Sequence, residues 1–340
     1  MEIGGKKINE LSFLGRISYS LRLMSYSKFA TYDVAGQSEY EIMLYFFLGL
    51  AGVLGNIATC IVIANNRTMR TITNAYLFNL AISDLLILVF GFPPWNRYVD
   101  YRYDSFCKLR SLMTEWPIYV SVLTITVFSV ERYLAICHPF KAHVLSDMSR
   151  VSRAILAIWL LGFFCALPMS LQINLVPKFN FLHNVTCVMS NLTSRAFEVS
   201  SFISSIVFFV LPMLLICCLY TLMGIRLRNS GLVENQQLNT RVNVKGKKVI
   251  RMLVIVAAVF FVCWAPFHSQ RLFITHYMSF LHRGVYKRTF TDTIFSRATG
   301  LLYYSSAVVN PIIYNIMSNK FRQAFKGTLI RAFERLHFFR

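Results

Sequence analysis

Seven long runs of uncharged residues dominate this chain and leave few folds open to it. A bilayer core about 30 Å thick takes about 20 apolar helical residues, at about 1.5 Å of rise each. Windows of that kind cover 42–64, 71–96 (interrupted by Asp84), 116–130 (extending upstream past Glu115), 154–177, 199–225, 252–270 and 298–319. One such window is equally a buried helix of a soluble core. Seven in order, separated by short polar loops, are not. Lipid offers the backbone no hydrogen-bond partner, so each span is expected to be a continuous helix. The fold expected is an all-α membrane bundle of seven transmembrane helices.

Composition agrees. Of 340 residues, 56% are hydrophobic and 15% charged, and the mean hydropathy is +0.51. Soluble domains run at about 45–50% apolar and about 25% charged. A soluble enzyme, a disordered chain and a coiled coil are therefore excluded. The net charge of +20 would suggest nucleic acid in a soluble protein. In a membrane bundle the same charge serves loops facing anionic lipid, and no nucleic-acid partner is expected.

Residues 1–41 hold no apolar core of signal-peptide length. They are expected to be an extracellular N-terminal segment, with the first span as its own insertion signal. The receptor-sized bundle then covers 42–319. In 320–340, Phe321, Phe325, Leu329 and Ile330 recur at near-helical spacing among Lys and Arg. That pattern predicts a short amphipathic helix on the membrane surface. With the N-terminus outside, 18 Lys and Arg fall on inner segments and 16 on outer ones, apart from Arg132 at a helix end. This is a small positive-inside bias. The sequons at Asn184 and Asn191 would lie outside and be glycosylated, and Asn66-Arg-Thr would lie inside and be unmodified. Six of eight cysteines sit in or beside spans. Cys107 and Cys187 sit in outer segments, where an oxidising face would let them pair.

An ionisable residue inside a span is costly and points to function. Asp84 has no Lys or Arg in its own span. Asn56, Ser121, Ser306 and Asn310 on other spans offer it oxygen and amide partners. Such a set suits a small hard cation, a water network or a packing node, and spacing does not separate these. Glu115 near the outer end of span three and Arg271 at the outer end of span six either pair with each other or read a charged ligand. Glu131-Arg132-Tyr133 ends span three on the inner side, where the carboxylate can hold the arginine. Pro266, two residues after Trp264, is expected to kink span six. Pro311 and Pro212 are further points of that kind. Asn310 is placed to compensate backbone groups freed by Pro311.

Together these residues resemble the rhodopsin-like (class A) G-protein-coupled receptors. The matching set is Asn56, Leu80 to Asp84, Cys107, Glu131-Arg132-Tyr133, Trp159, Cys187, Pro212, Cys263-Trp264-Ala265-Pro266 and Asn310 to Tyr314. Cys107 to Arg110, Glu115, Leu123 to Thr126, Val130 to Phe140 and Cys263 to Leu272 are similar to the neuromedin U, pyrokinin and capa receptors, especially the invertebrate ones. That resemblance implies a multi-pass plasma-membrane receptor for a short C-terminally amidated peptide, many ending Pro-Arg-Xaa-amide. A heterotrimeric G protein, of the q class, would be the inner partner and membrane lipid the surroundings. Glu115 would contact the peptide's arginine, Arg271 and His268 would border its C-terminal amide, and Phe267 and Gln270 would belong to the same ligand site. Trp264, Phe260, Val122 and Pro212 would repack on activation, with a sodium site at Asp84, Ser121, Ser306 and Asn310 collapsing. Arg132 would then turn toward Tyr220 and Tyr314. Other short-peptide receptors of the ghrelin- and neurotensin-related cluster, and an ion-coupled transporter or channel, are the alternatives.

Some classes drop out residue by residue. Amine receptors carry an Asp one residue before Glu115, where this chain has Thr114. Opsins need a lysine in span seven, and 298–319 has none. No HExxH motif, nucleophile elbow or glycine-rich phosphate loop supports an enzyme. Departures from the family pattern are Pro117 in span three, no cysteine after Cys263, and no acid at the start of span six. Thr328 is the one hydroxyl residue after Asn319, so phosphorylation-dependent arrestin binding is expected to be weak.

Overall fold

The computed structural model describes residues 39–91, 103–139, 147–177, 185–189, 195–230, 236–280, 290–317 and 319–338. The sequons Asn184 and Asn191 and nearly all of the N-terminal segment lie outside the described residues. Helices α1 (Glu39–Asn65), α2 (Ile72–Phe90), α3 (Asp104–Cys137) and α4 (Met148–Ser170) come first. The fifth helix, α5, runs as Arg195–Ser205, one π-helical stretch Ile206–Val210, and Leu211–Ser230. Then follow α6 (Gln236–Phe280), α7 (Phe290–Met317) and α8 (Asn319–Phe338). Six of the described helices, α1 to α6, are long and apolar enough to cross a membrane. The seventh, α7, packs against α1, α2 and α6. Its buried Thr299, Tyr303, Tyr304, Ser306, Asn310 and Tyr314 face the bundle and lower its hydropathy.

One window needs correction. The charge-free run 154–177 is not a single span, because α4 ends at Ser170 and Ile173–Pro177 forms strand β1. It pairs antiparallel with β2, Val185–Met189, with Leu175 opposite Cys187. Alternating Ile173, Asn174 and Leu175 suit a strand, and a charge-free strand that follows a helix reads by hydropathy alone as more helix. The hairpin lies against α3. Cys107 in the first turn of α3 is disulfide-bonded, and the six cysteines in or beside spans are free thiols. The side chain of Cys187 lies outside the described residues.

Local chemistry sets the inner turns. Thr71 caps α2 by accepting from Asn74 N, and Asp147 caps α4 by accepting from Ser149 N. Asn66 after α1 donates to Val62 O at 2.7 Å and to Thr328 Oγ1 of α8 at 3.1 Å. Phe321 is buried beside Tyr314. These contacts fix α8 to α1 and α7.

The prolines are handled in different ways. Pro117 is buried within α3, which runs on without a break. Before Pro212 the widened turn has Leu211 N bonding Ile206 O, five residues back, so the missing N–H is absorbed by a π-bulge. Pro311 leaves the carbonyl of Ala307 without its helical donor. Asn56 supplies one from α1, through Nδ2 at 2.9 Å, while also donating to Gly52 O. The compensation expected of Asn310 therefore comes from Asn56, because the Asn310 amide is turned to Asp84. Close approach of α1 and α7 makes this possible. A Cβ on Gly52 would meet Leu88 at 2.7 Å and Val308 at 3.0 Å.

Candidate functional site

Three polar clusters lie along the bundle axis. The outermost is built on α3, α5, α6 and α7. Arg271 Nη1 bonds Glu115 Oε2 at 3.3 Å, and both side chains are largely buried. Of the two readings left open by the sequence, the structure has the pair. The Arg271 guanidinium also lies over the Phe267 ring at 5.8 Å. Its Nη2 has no hydrogen-bond partner. His268 Nδ1 meets Ser205 Oγ at 3.1 Å, its ring stacks on Phe209, and its Nε2 is unpartnered. Gln270 bonds Ser296 of α7 at 2.6 Å.

Four residues that sequence reasoning missed complete this cluster. Tyr119, Ser201, Thr299 and Tyr303 are buried, and none of their hydroxyls has a partner among the described residues. Tyr119 was findable, since it sits four residues after Glu115 on the same helix face. The serines at 200, 201, 204 and 205 upstream of Pro212 were a second signal.

Beneath lies an aromatic layer. Trp264 contacts Phe260 and Phe267 at 5.9 Å, Tyr303 at 5.4 Å and His268 at 6.4 Å, measured between ring centroids. Val122 and Phe260 are buried in the core. Below Trp264 a small cavity is lined by Asp84, Ser121, Ile125, Ser306 and Asn310, among others. Asp84 accepts from Asn310 Nδ2 at 2.8 Å and from Ser121 Oγ at 3.4 Å. Ser121 also meets Ser83 at 2.8 Å, and Ser306 donates to Tyr303 O. The donor set is a carboxylate with neutral oxygens on one side of a small cavity, which fits a small hard cation.

At the inner end the expected Glu131–Arg132 contact gives way to another. Glu131 Oε1 takes Arg150 Nη2 of α4 at 2.6 Å, with Tyr76 OH at 3.5 Å. Arg132 lies over the Phe128 ring at 5.3 Å, and its Nε has no partner. The reason is geometric. Glu131 faces α2 and α4, where Arg150 draws its carboxylate away from Arg132. Tyr220 meets Ser129 at 2.8 Å, and Tyr133 meets His138 at 3.4 Å. Nothing in the sequence marked Arg150 as the partner of Glu131.

Residues 55–314 match the family described as 7 transmembrane receptor (rhodopsin family). The chain belongs to that family. It is 36% identical to the pyrokinin-1 receptor of Drosophila melanogaster, over 84% of this chain and 79% of that one. A neuromedin U receptor homologue of Caenorhabditis elegans is 34% identical, over 85% and 79%. Neuromedin-U receptor 2 of Mus musculus is 34% identical, over 84% and 74%. This receptor is thus a multi-pass plasma-membrane protein of the peptide-receptor group related to the pyrokinin and neuromedin U receptors, and not an enzyme.

Proposed function

We propose that this receptor is switched by a short, C-terminally amidated peptide carrying an arginine, and that it signals through a G protein of the q class. The observation that carries the reading is the buried Glu115–Arg271 pair beneath the outer face, ringed by unpartnered polar atoms. An unsatisfied buried polar group costs about 1–3 kcal/mol, so a ligand that satisfies several gains affinity there. The peptide's arginine would compete with Arg271 for Glu115. Arg271, His268, Phe267 and Gln270 would border the amide. The names of the pyrokinin and neuromedin U relatives support a peptide of this class.

A ligand shifts the equilibrium only through different affinity for its two states. Here the bistable element is α6, with Pro266 as its hinge and Trp264, Phe260, Val122 and Pro212 repacking around it. Arg132, which has no carboxylate of its own to leave, would turn toward Tyr220 and Tyr314 and receive the G protein with Glu131 and Tyr133. Asp84, Ser121, Ser306 and Asn310 would hold a sodium ion in the state without ligand. Replacing sodium by choline should then raise agonist affinity, and Asp84→Asn should abolish that difference. An extracellular N-terminus is supported by the disulfide-bonded Cys107, which belongs on an oxidising face. Glycans at Asn184 and Asn191, a Cys107–Cys187 bond and an α8 lying on lipid belong to the same reading.

Intracellular calcium in cells expressing the chain, challenged with amidated neuropeptides, tests the proposal. A saturable response to a Pro-Arg-Xaa-amide peptide, absent in mock cells, is expected. Silence despite proven surface expression would overturn it.

A further inference from the structure

Tyr119 is the least explained side chain in the outer cluster. It lies on α3 one turn below Glu115 and is 1% exposed. Its ring stacks flat on Phe208, with centroids 3.9 Å apart and planes 10° apart. The ring is therefore fixed, and so is the direction of the hydroxyl. That hydroxyl has Ser204, Glu115 and Arg271 as polar neighbours, yet no hydrogen bond of ordinary geometry to any of them. Five further unpartnered atoms belong to the same cluster, among them Ser201 Oγ, His268 Nε2 and Arg271 Nη2. Ser201 is joined to His268 through Ser205, whose hydroxyl donates to Ser201 O and meets His268 Nδ1.

The charges around Tyr119 select what can be bound there. An anion would meet Glu115, and a cation would meet Arg271. A neutral group avoids both penalties. A phenol both donates and accepts, a serine hydroxyl does the same, and a guanidinium only donates. The complementary neutral group carries a carbonyl oxygen and N–H donors together. A primary carboxamide is the simplest such group.

We propose that Tyr119 is a specificity-determining residue whose hydroxyl hydrogen-bonds a neutral carboxamide of the bound ligand, one turn below the Glu115–Arg271 pair. This rests on the reading of the outer cluster as a peptide site. It adds the residue that distinguishes a carboxamide from a carboxylate. A ligand acid would carry its charge beside Glu115 and so be held away from this hydroxyl.

Tyr119→Phe removes the hydroxyl and keeps the stacked ring. With an activating amidated peptide and its free-acid form, the variant should lose about tenfold in potency for the amide, the value of one buried hydrogen bond. The free acid should be unaffected, so the amide-over-acid ratio falls by the same factor. The thermal midpoint of the ligand-free receptor should be equal or higher, because an unsatisfied hydroxyl has been removed. Potency unchanged within about twofold, equal loss for both peptides, or a lowered ligand-free midpoint would each overturn the proposal. Loss of response in Glu115→Gln with full retention in Tyr119→Phe would overturn this inference alone. Silence of the unaltered receptor to every amidated peptide would overturn the peptide reading with it.

Discussion

The middle of the bundle and its outer cluster are equally buried and oppositely satisfied. In the middle, Trp159 Nε1 donates to Asn79 Oδ1 at 2.8 Å and Asn79 Nδ2 donates to Thr124 Oγ1 at 2.7 Å. Thr124 donates in turn to Val120 O at 2.6 Å. Three helices, α2, α3 and α4, are joined by that chain. Asn56 holds α1 to α7, and Asn310 joins α7 to Asp84 of α2. In the outer cluster, Tyr119, Ser201, His268, Arg271, Thr299 and Tyr303 each leave a polar atom unused. Polar groups satisfied by the protein hold a fold. Polar groups left unsatisfied cost stability and persist where something else is to bind. The inner end repeats the second pattern in one atom, Arg132 Nε, at the face where a G protein would dock.

The largest expected effect lies in the middle. Asn79→Ala leaves Trp159 Nε1 without an acceptor, at about 1–3 kcal/mol, and deletes the bond to Thr124, at about 0.5–1.5 kcal/mol. The thermal midpoint of the purified receptor should fall by about 5 °C or more, with surface expression reduced. Thr299→Val in the outer cluster replaces an unpartnered hydroxyl by a methyl of similar shape, and the midpoint should stay within about 1 °C. Equal losses in the two variants would break the distinction between the regions.

A smaller effect is expected at the inner end. Arg150→Gln frees the Glu131 carboxylate to turn to Arg132. A partly exposed ion pair is worth about 0.2–1 kcal/mol. Basal inositol-phosphate signalling at matched surface expression should therefore fall by up to about fivefold. Arg150→Lys, which keeps a cation, should stay near the unaltered receptor. Raised basal signalling in Arg150→Gln would show that Glu131 does not restrain Arg132 in this way.

The spans were legible because lipid imposes a length and a ban on charge that hydropathy reads directly. The exception, 154–177, failed for the same reason. A charge-free strand satisfies the same test, and pairing of Ile173–Pro177 with Val185–Met189 is a contact between segments. Site residues were legible where chemistry is costly in an apolar run, as at Asp84, Glu115 and Arg271. Their partners were not. Arg150 for Glu131 and Asn56 for the carbonyl freed by Pro311 depend on which helix faces meet, and one sequence does not carry that. Tyr119 and Ser201 look like ordinary core residues until their hydroxyls are found without partners.

The most direct test of the outer cluster as a ligand site pairs one change in the receptor with one in the peptide. Potency is measured for Glu115→Gln and the unaltered receptor, with an amidated arginine peptide and its citrulline analogue. A charge-assisted hydrogen bond is worth about 1.5–3 kcal/mol. The variant should lose about one to two decades of potency toward arginine and almost none toward citrulline. Equal losses toward both peptides would contradict a contact between Glu115 and the ligand's arginine. They would leave the Glu115–Arg271 pair as an internal brace of α3 and α6.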